Sequence, residues 1–320
     1  MAGGRDVAAA RPRGQCGGYG LLADTGKKTT GGERMKRVGV MVNCRKAHAA
    51  EAVRLVAAEA AAAGLELLAD SRAAVVAGAV PLCPLADFQT RVEAVLVLGG
   101  DGTVLEAARQ FQGQDLPLMG LNIGSLGYLT CVGDAQFGEA VRALRHDAVT
   151  RDRRSTLAGR IARTGRDGEE LADALNEVVI SRGAAGRLIW LDLELDGEAV
   201  MTTACDGLVV STPTGSTAYA LATGGPILLP ATPALEIAVI CPHSLSFRPL
   251  VVPDSTTVAI RLARASAAAP VVSVDGQDDI PLAFGDRVEL RRSPRGVTLL
   301  HLPGYNPCSV MNRKLGWGGR

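Results

Sequence analysis

The stretch Glu93-Ala-Val-Leu-Val-Leu-Gly-Gly-Asp-Gly-Thr103 decides the fold, because it places a glycine-rich turn between a strand and a helix. Residues 95–98 form the short apolar run of a strand covered on both faces, and the residues after the turn have helical apolar spacing. Gly99, Gly100 and Gly102 allow backbone N–H groups to come close to a ligand, and the helix adds its positive N-terminal end. Such a turn is typical of a phosphate-binding site.

Asp101 lies inside this turn, where a carboxylate repels the phosphates that the turn attracts. Two kinds of chemistry resolve the conflict: the carboxylate binds the phosphates through a metal ion, or it accepts the proton of an attacking hydroxyl group. A third interpretation is an Asp-Gly tight turn without a ligand, in an ordinary connection between a strand and a helix. The stretch alone leaves the three interpretations open.

The composition sets limits on fold and compartment. A length of 320 residues predicts two domains, and a formal net charge of +1 indicates no general attraction to nucleic acid or anionic membranes. The seven cysteines are scattered and lack the paired spacing of zinc ligands, which is typical of a reduced, cytoplasmic protein. The longest apolar stretch, near residues 73–86, is interrupted by Pro81 and Pro84 and is shorter than the roughly 18 residues of a membrane span. We expect a cytoplasmic protein with no nucleic-acid or membrane partner.

The pattern of predicted elements divides the chain into four parts. Residues 1–34 lack a hydrophobic period and predict a disordered extension, with Met35 as an alternative start of translation to Met1. Strands and helices alternate over 35–150, which predicts an α/β domain with a parallel sheet whose ligands lie beyond the carboxyl ends of the strands. Residues 151–300 have a period of two and predict an antiparallel all-β domain. The tail, 301–320, is expected to pack back on the body as a short helix or an irregular segment.

Some element boundaries are specific enough to compare with a structure. An alanine-rich helix over 49–63 ends at Gly64, and the helix after the glycine turn covers 103–111. Asp134 is a good N-cap for another helix. Two separate strands are predicted over 287–290 and 297–300.

A second stretch also carries chemistry typical of a binding site, Asp206-Gly-Leu-Val-Val-Ser-Thr-Pro-Thr-Gly-Ser-Thr-Ala-Tyr219. A strand leads into a Pro-Thr-Gly turn, and Ser216 or Thr217 is placed to cap a short helix that Gly224 closes. Backbone N–H groups, hydroxyls and the phenol of Tyr219 meet there and suit the polar edges of a nucleotide. The alternative is a capped helix without a ligand in a β-rich domain.

Taken in order, these motifs resemble those of bacterial NAD kinases. The others that carry the resemblance are Leu175-Asn-Glu-Val178, Gly224-Gly-Pro226, Pro242-His-Ser-Leu-Ser-Phe-Arg-Pro-Leu250 and Lys314-Leu-Gly-Trp317. Diacylglycerol kinases, sphingosine kinases and phosphofructokinases share the Gly-Asp turn, whereas the run Thr212-Pro-Thr-Gly-Ser-Thr-Ala-Tyr219 separates NAD kinases from them. The resemblance implies a Rossmann-like α/β domain similar to those kinases, followed by an antiparallel all-β domain that binds NAD.

The resemblance also implies a reaction. The terminal phosphoryl group of ATP, or of polyphosphate in some members, passes to the adenosine-ribose 2′-hydroxyl of NAD, giving NADP, with a divalent metal, Mg²⁺, that accompanies the ATP phosphates. Asp101 is then the proton acceptor, and a homodimer or homotetramer builds the NAD site partly across subunits. The residues implied to bind substrate or nucleotide are Gly99, Gly100, Gly102, Thr103, Tyr128, Asn176, Glu177, Arg187, Ala204, Asp206, Thr217, Ala218, Tyr219, Ala222 and Gln277.

Two other functions are compatible with parts of the sequence. A lipid or sugar kinase of the same superfamily would need an apolar groove or a basic sugar-phosphate site in place of the Asn176-Glu177 pair. A non-catalytic dinucleotide-binding regulator would have no use for the carboxylate of Asp101. The departures from the family pattern are mild: Tyr128 stands where phenylalanine is usual, and Ala222 where serine is frequent.

Overall fold

The computed structural model describes residues 34–317, except 79, 125, 166, 185–186 and 265–268. All but the last residue of the predicted disordered extension therefore lies outside the described part. The first half of the chain forms β1 (Arg37–Val42), α1 (Ala49–Ala63), β2 (Glu66–Ala69), α2 (Ser71–Ala77), α3 (Phe88–Arg91), β3 (Val95–Gly99), α4 (Asp101–Gln110), β4 (Leu118–Asn122) and α5 (Phe137–Arg145).

The second half is mostly β-structure. It forms β5 (Thr150–Ala162), β6 (Glu169–Glu170), β7 (Glu177–Ser181), β8 (Ile189–Leu195), β9 (Glu198–Cys205), β10 (Gly207–Ser211), α6 (Tyr219–Ala222), β11 (Ala234–Ile240), β12 (Leu250–Pro253), β13 (Val258–Leu262), β14 (Val271–Val274), β15 (Asp278–Pro281), β16 (Arg287–His301) and α7 (Pro307–Leu315). The predicted helix 49–63 is present and ends at Gly64, which adopts the left-handed conformation with φ 67°. The tail forms a helix, α7, which was one of its two predicted forms.

Two sheets organise the described residues. The first follows the order β2-β1-β3-β4-β16-β13-β8-β9, with β5 on β16 and β6 on β5. Its strands β2, β1, β3 and β4 are parallel, as are β4 and β16. The second sheet, β12-β11-β10-β7-β14-β15, is antiparallel throughout. The predicted fold class, a parallel α/β sheet followed by an antiparallel β-sheet, is confirmed.

The strand β3 is buried on both faces, as its apolar run predicts. Leu96 and Leu98 pack on one face of the sheet in a hydrophobic core with residues of α1 and α5. Val95 and Val97 pack on the opposite face in a second core with residues of α4. Each such buried side chain stabilises the fold by roughly 1.5–3 kcal/mol. The glycine turn at the end of β3 is therefore attached to a rigid central strand.

The two strands predicted over 287–290 and 297–300 are one strand. β16 runs through the intervening Ser293-Pro-Arg-Gly296 with a register shift between Arg292 and Gly296. Serine, proline and glycine together are typical of a turn, but long pairing with β5 accommodates them as a bulge. Because β5, β8, β9, β13 and β16 all join the first sheet, that sheet contains strands from both halves of the chain, and the domain limits at 150 and 300 stay predictions.

The residues before α5 differ from their prediction. A 3₁₀ turn covers Asp134–Gln136 and α5 itself begins at Phe137. Asp134 accepts the N–H of Ala135 inside that turn (2.9 Å), so it is not the N-cap of the helix. Within the described residues, no helix has the length and apolar character that crossing a membrane requires.

Candidate functional site

Asp101 belongs to the helix and not to the turn before it. The sequence predicted a helix from residue 103, whereas α4 begins at Asp101 with Gly100 as its N-cap. The carboxylate reaches the loop after β4: Oδ1 accepts hydrogen bonds from the N–H of Leu129 (2.9 Å) and from the N–H (3.1 Å) and hydroxyl (3.2 Å) of Thr130. Oδ2 accepts one hydrogen bond, from the N–H of Tyr128 (2.8 Å).

The two carboxylate oxygens of Asp101 therefore differ. An ionised carboxylate offers about four accepting positions, two on each oxygen. Among the described residues, three donors share the two accepting positions of Oδ1, while Oδ2 receives one donor and keeps an accepting position. Gly127 completes the packing, because a Cβ there would overlap Oδ1. The loop thus holds the carboxylate in one orientation, in which Oδ2 has fewer donors from the described residues than Oδ1.

The glycines of the turn are of two kinds. Gly99 is buried, and a Cβ there would overlap the side chain of Thr103, so its packing alone requires glycine. Thr103 Oγ1 accepts the N–H of Gly100 (3.4 Å). At Gly100 and Gly102, by contrast, a Cβ would meet no atom within 4 Å. The space beside these two glycines is open to a ligand at the N-terminus of α4.

Two polar residues beside this turn escaped the sequence analysis. Asn43, directly after β1, donates from Nδ2 to Thr103 Oγ1 (3.5 Å). Lys46 is exposed and its Nζ lies 3.9 Å from the position of a Cβ at Gly124, in the loop after β4. The position of both residues shortly after β1 could have suggested them, because the carboxyl ends of neighbouring parallel strands meet at one edge of a sheet.

Asn176 and Glu177 are held by a second aspartate. The carboxylate of Asp275 accepts the N–H groups of Leu175 (2.9 Å), Asn176 (2.8 Å) and Glu177 (3.1 Å). Burial raises the pKa of Asp275 above its usual range, although these three N–H groups oppose the shift. Gln277 lies two residues further on, so the structure brings three of the predicted NAD-binding residues to one place.

Glu177 is a buried acid with unused hydrogen-bonding capacity. In the described part of the chain, its Oε2 has no hydrogen-bond partner. Burial and then the nearby charge of Asp275 raise the pKa of Glu177 to about 8, against the lowering effect of the backbone N–H of Tyr219. The group is therefore largely protonated at neutral pH, so it can both donate a hydrogen bond to a hydroxyl group and accept one from it.

The Pro-Thr-Gly turn packs on the same pair of residues, but its hydroxyls do not cap the helix. Ser216 donates to the carbonyl of Pro213 (2.7 Å) and Thr217 to that of Thr214 (3.2 Å), which corrects the predicted capping role. The short α6 follows, with Ala218 at its N-cap. Thr217 and Ala218 are half-buried, while Tyr219 and Ala222 are exposed. This surface adjoins Glu177.

Three predicted NAD-binding residues lie elsewhere on the chain. β7 and β10 pair Glu177 with Ser211 and Ser181 with Gly207, so Asp206 is five residues from the level of Glu177, about 17 Å at 3.4 Å per residue. Asp206 forms an ion pair with Arg182 (3.0 Å). Ala204 lies in β9, is buried and pairs with Trp190 of β8. Arg187 is exposed and lies just before β8. One chain thus does not bring Arg187, Ala204 and Asp206 to Asn176 and Glu177.

Two arginines make long-range contacts with segments that carry the NAD-binding motifs. Arg109, about 12 Å along α4 from Asp101, donates to Gln277 Oε1 (3.4 Å) and to the carboxylate of Asp278. Arg154, buried in β5, donates to the hydroxyls of Thr214 (3.3 Å) and Tyr305 (3.1 Å). Arg109 thus ties α4 to residues 277–278, and Arg154 ties the Pro-Thr-Gly turn to Tyr305 of the C-terminal tail.

The described residues contain no group of three or more histidine, cysteine, aspartate or glutamate side chains placed to hold a metal ion. Near the turn, the single carboxylate of Asp101 already receives four donors. A divalent ion here would need most of its ligands from a substrate.

Comparison with known proteins covers nearly the whole described region. Residues 82–149 match the family described as ATP-NAD kinase N-terminal domain, and residues 175–302 match ATP-NAD kinase C-terminal domain. The NAD kinase of Thiobacillus denitrificans is 42% identical over 238 residues, which are 74% of this chain and 81% of the relative. The NAD kinase of Syntrophotalea carbinolica is 35% identical over 287 residues, 89% of this chain and all of the relative.

Solved structures agree with the sequence comparison. A yeast NADH kinase crystallised with NADH superposes with a TM-score of 0.79 at 25% identity, over 90% of each chain. An Archaeoglobus fulgidus NAD kinase in complex with ATP superposes with a TM-score of 0.70 at 20% identity, over 88% of this chain and all of the other, and at that identity it supports the fold only.

Proposed function

The chain belongs to the NAD kinase family and has NAD kinase activity, and we propose that Asp101 accepts the proton of the adenosine-ribose 2′-hydroxyl of NAD as the phosphoryl group arrives. The observation that carries this assignment is the asymmetry of its carboxylate. Within the part of the chain that the structure describes, three donors fix Oδ1, while Oδ2 has one donor and one accepting position left. A base positioned in this way contributes about 10²- to 10⁴-fold to the rate.

The glycine turn is the proposed site for the phosphates of ATP. Gly100 and Gly102 leave open space at the N-terminus of the ten-residue α4. Lys46, on the loop after β1, supplies a positive charge that attracts phosphates. Because the described residues offer no dedicated metal site, Mg²⁺ is proposed to enter as MgATP and to neutralise phosphate charge. Polyphosphate carries the same chemistry and is the alternative donor.

The proposed adenosine-ribose site is the pair Asn176 and Glu177. An amide and a protonated carboxyl together can satisfy ribose hydroxyls, and the orphaned Oε2 of Glu177 gains a partner when NAD binds. Thr217, Ala218 and Tyr219 adjoin this pair, and the exposed phenol ring of Tyr219 provides a flat surface for a base.

A homo-oligomer is proposed because of the residues that stand apart. Arg187, Ala204 and Asp206 lie at the far end of β7 and β10 from Glu177, although the family resemblance assigns them to the same ligand. If the three residues line the NAD site of a neighbouring subunit in a homodimer or homotetramer, they can bind the same ligand although they lie far from Glu177 within one chain.

The overall reaction is tested by incubating the purified chain with NAD and MgATP and measuring NADP. NADH and polyphosphate replace NAD and ATP in parallel reactions, and a diacylglycerol and a hexose phosphate serve as the other acceptors. NADP formation is expected. Phosphorylation of a lipid or sugar without NADP would indicate the other kinase class, and no transfer to any acceptor would indicate a regulator.

Gly102→Ala is expected to leave the fold intact and to impair catalysis. A Cβ at this position meets no atom in the free protein, and alanine is about 1 kcal/mol better than glycine inside a helix. The melting temperature should therefore stay the same or rise, while KM for ATP should rise at least about tenfold, because the methyl group occupies the space of a phosphate. Differential scanning fluorimetry and steady-state kinetics measure the two effects.

Gly133→Ala is the matched control, since a Cβ there also meets no atom within 4 Å and the position lies away from the turn. The melting temperature and the KM for ATP of this variant should equal those of the wild type. Equal KM values for the Gly102→Ala and Gly133→Ala variants would argue against phosphate binding at the turn.

Mixing two inactive variants tests the shared NAD site. Asp101→Asn and Asp206→Ala chains, each nearly inactive alone, should form a hybrid oligomer in which one site has both native residues. We expect the co-expressed pair to be clearly more active than either variant alone. Activity no greater than that of the separate variants, with hybrid formation verified by two affinity tags, would place Asp206 in the site of its own chain or outside the site.

A further inference from the structure

Glu236 is a second buried acid near the proposed NAD site, and no recognised motif contains it. It lies in β11 with no exposed surface, and neither Oε1 nor Oε2 has a hydrogen-bond partner among the described residues. The strand pairings place Glu236 opposite Ser211, and Ser211 opposite Glu177. Since directly paired residues point to the same face, the two acids lie in one row across the second sheet.

The segment of residues 219–225 covers this row. At its start, the N–H of Tyr219 points to the carboxyl group of Glu177. At its end, the backbone of Gly225 lies against Glu236, because a Cβ at Gly225 would overlap Oε1. Between them, the buried Ala220 packs on Val179 and Val209 of the same sheet face. Each end of the segment thus rests on a buried carboxyl group.

We propose that Glu236 is a positioning residue for NAD binding: its uncharged carboxyl group lets the 219–225 segment lie against the sheet, and loss of its proton displaces the segment. The proposal rests on the NAD site proposed above, because the segment carries Tyr219 and Ala222. Glu236 itself does not touch NAD in this arrangement.

The physical reason is the cost of an unpaired buried charge. An ionised carboxylate without partners is unstable in a protein interior, so either the group stays protonated or its surroundings move and admit water. Burial alone raises the pKa of Glu236 to about 7. The closed arrangement is therefore fully favoured below the ordinary pKa of a glutamate, near 4.5, and its advantage is lost as the pH rises through about 7.

The groups that face Glu236 allow its titration to be distinguished from that of other acidic side chains. Ser211 from β10 and Val251 from β12 are its paired neighbours and carry no charge. From α6, the titratable side chain is the phenol of Tyr219. Glu177, two strands away on the same face, is the other acid and has a pKa of about 8. Between pH 6 and 7.5 the change in charge is expected to come mainly from Glu236.

The experiment is titration calorimetry of NAD binding without ATP, from pH 5.5 to 8.5, on the wild type and on E236Q. The wild-type Kd should rise through pH 7, approaching tenfold per pH unit, because only the protonated form binds well. E236Q keeps the size of the side chain but cannot ionise, so its Kd should equal the wild-type value at pH 6 and stay nearly flat to pH 7.5. Equal pH dependence in both proteins would overturn the proposal.

A second variant keeps the proposal testable if E236Q does not fold. Gly225→Ala pushes a methyl group against the carboxyl group, so it should raise Kd for NAD at pH 6 to the range that the wild type reaches only above pH 7. A wild-type Kd for Gly225→Ala at pH 6 would overturn the proposal. Absence of NAD binding to the wild type at every pH would instead refute the NAD site, whereas wild-type binding that ignores pH refutes only the role of Glu236.

Discussion

Asp101→Asn is expected to lower kcat by about 10²- to 10⁴-fold while the affinity for NAD changes far less. The amide oxygen of asparagine can keep the hydrogen bonds that Leu129 and Thr130 donate to Oδ1. Its NH₂ group would face the N–H of Tyr128 and cannot accept a proton from the ribose hydroxyl. Steady-state kinetics and NAD calorimetry separate the two quantities.

Thr130→Val is the control for the structural part of this effect. It removes one donor to the same carboxylate and the partner of Asn122 Nδ2 (2.9 Å), but it leaves the base in place. We expect a loss of roughly 1–3 kcal/mol in the free energy of unfolding and a much smaller fall in kcat. Equal loss of kcat in both variants would mean that Asp101 acts by holding the loop.

The magnesium dependence of Asp101→Asn distinguishes a base from a metal ligand. If the carboxylate served mainly the ion, higher magnesium would partly restore activity and the apparent affinity for ATP would fall. Near-wild-type NADP formation at ordinary magnesium would contradict both roles.

Gly215→Ala is expected to weaken NAD binding at least about tenfold and to lower the free energy of unfolding by about 1–3 kcal/mol. A Cβ at Gly215 would lie 2.5 Å from the carbonyl carbon and 2.7 Å from the Cα of Asn176. These are backbone atoms, held also by the N–H of Thr212, which donates to the Asn176 carbonyl (2.9 Å), so the two segments must separate. Calorimetry and urea unfolding measure the two losses.

Gly102→Ala provides the comparison for this second result, since it should raise the KM for ATP without lowering the stability of the fold. A Gly215→Ala protein that loses stability but binds NAD normally would show that contact between Asn176 and the Pro-Thr-Gly turn is only structural. In that case the proposed NAD site would have to be moved away from Glu177.

Several features could be predicted because their causes are local. Helix 49–63 follows from its alanine content and from Gly64, and β13 and β14 from alternating apolar residues. The helix after the glycine turn starts two residues before Thr103, and its first residue, Asp101, accepts donors from a loop 27 to 29 residues further along the chain, which local patterns do not reveal. The merging of two predicted strands into β16 depended on β5, which is far away in sequence.

By itself the sequence determined the order of elements, the glycine turn and the residue types at the site, since periodicity and turn chemistry act over a few neighbouring residues. Only the tertiary structure decided what each acid contacts. Asp101 meets its donors 27 to 29 residues away and Asp275 meets its donors 98 to 100 residues away. Glu236 became significant only through strand register, which sets it in a row with Glu177, and through its burial without a hydrogen-bond partner among the residues that the structure describes. Hydrogen-bond partners and burial depend on how distant segments pack, and so the unequal hydrogen bonding of the two Asp101 oxygens and the raised pKa values of Glu177 and Glu236 arise only in the folded chain.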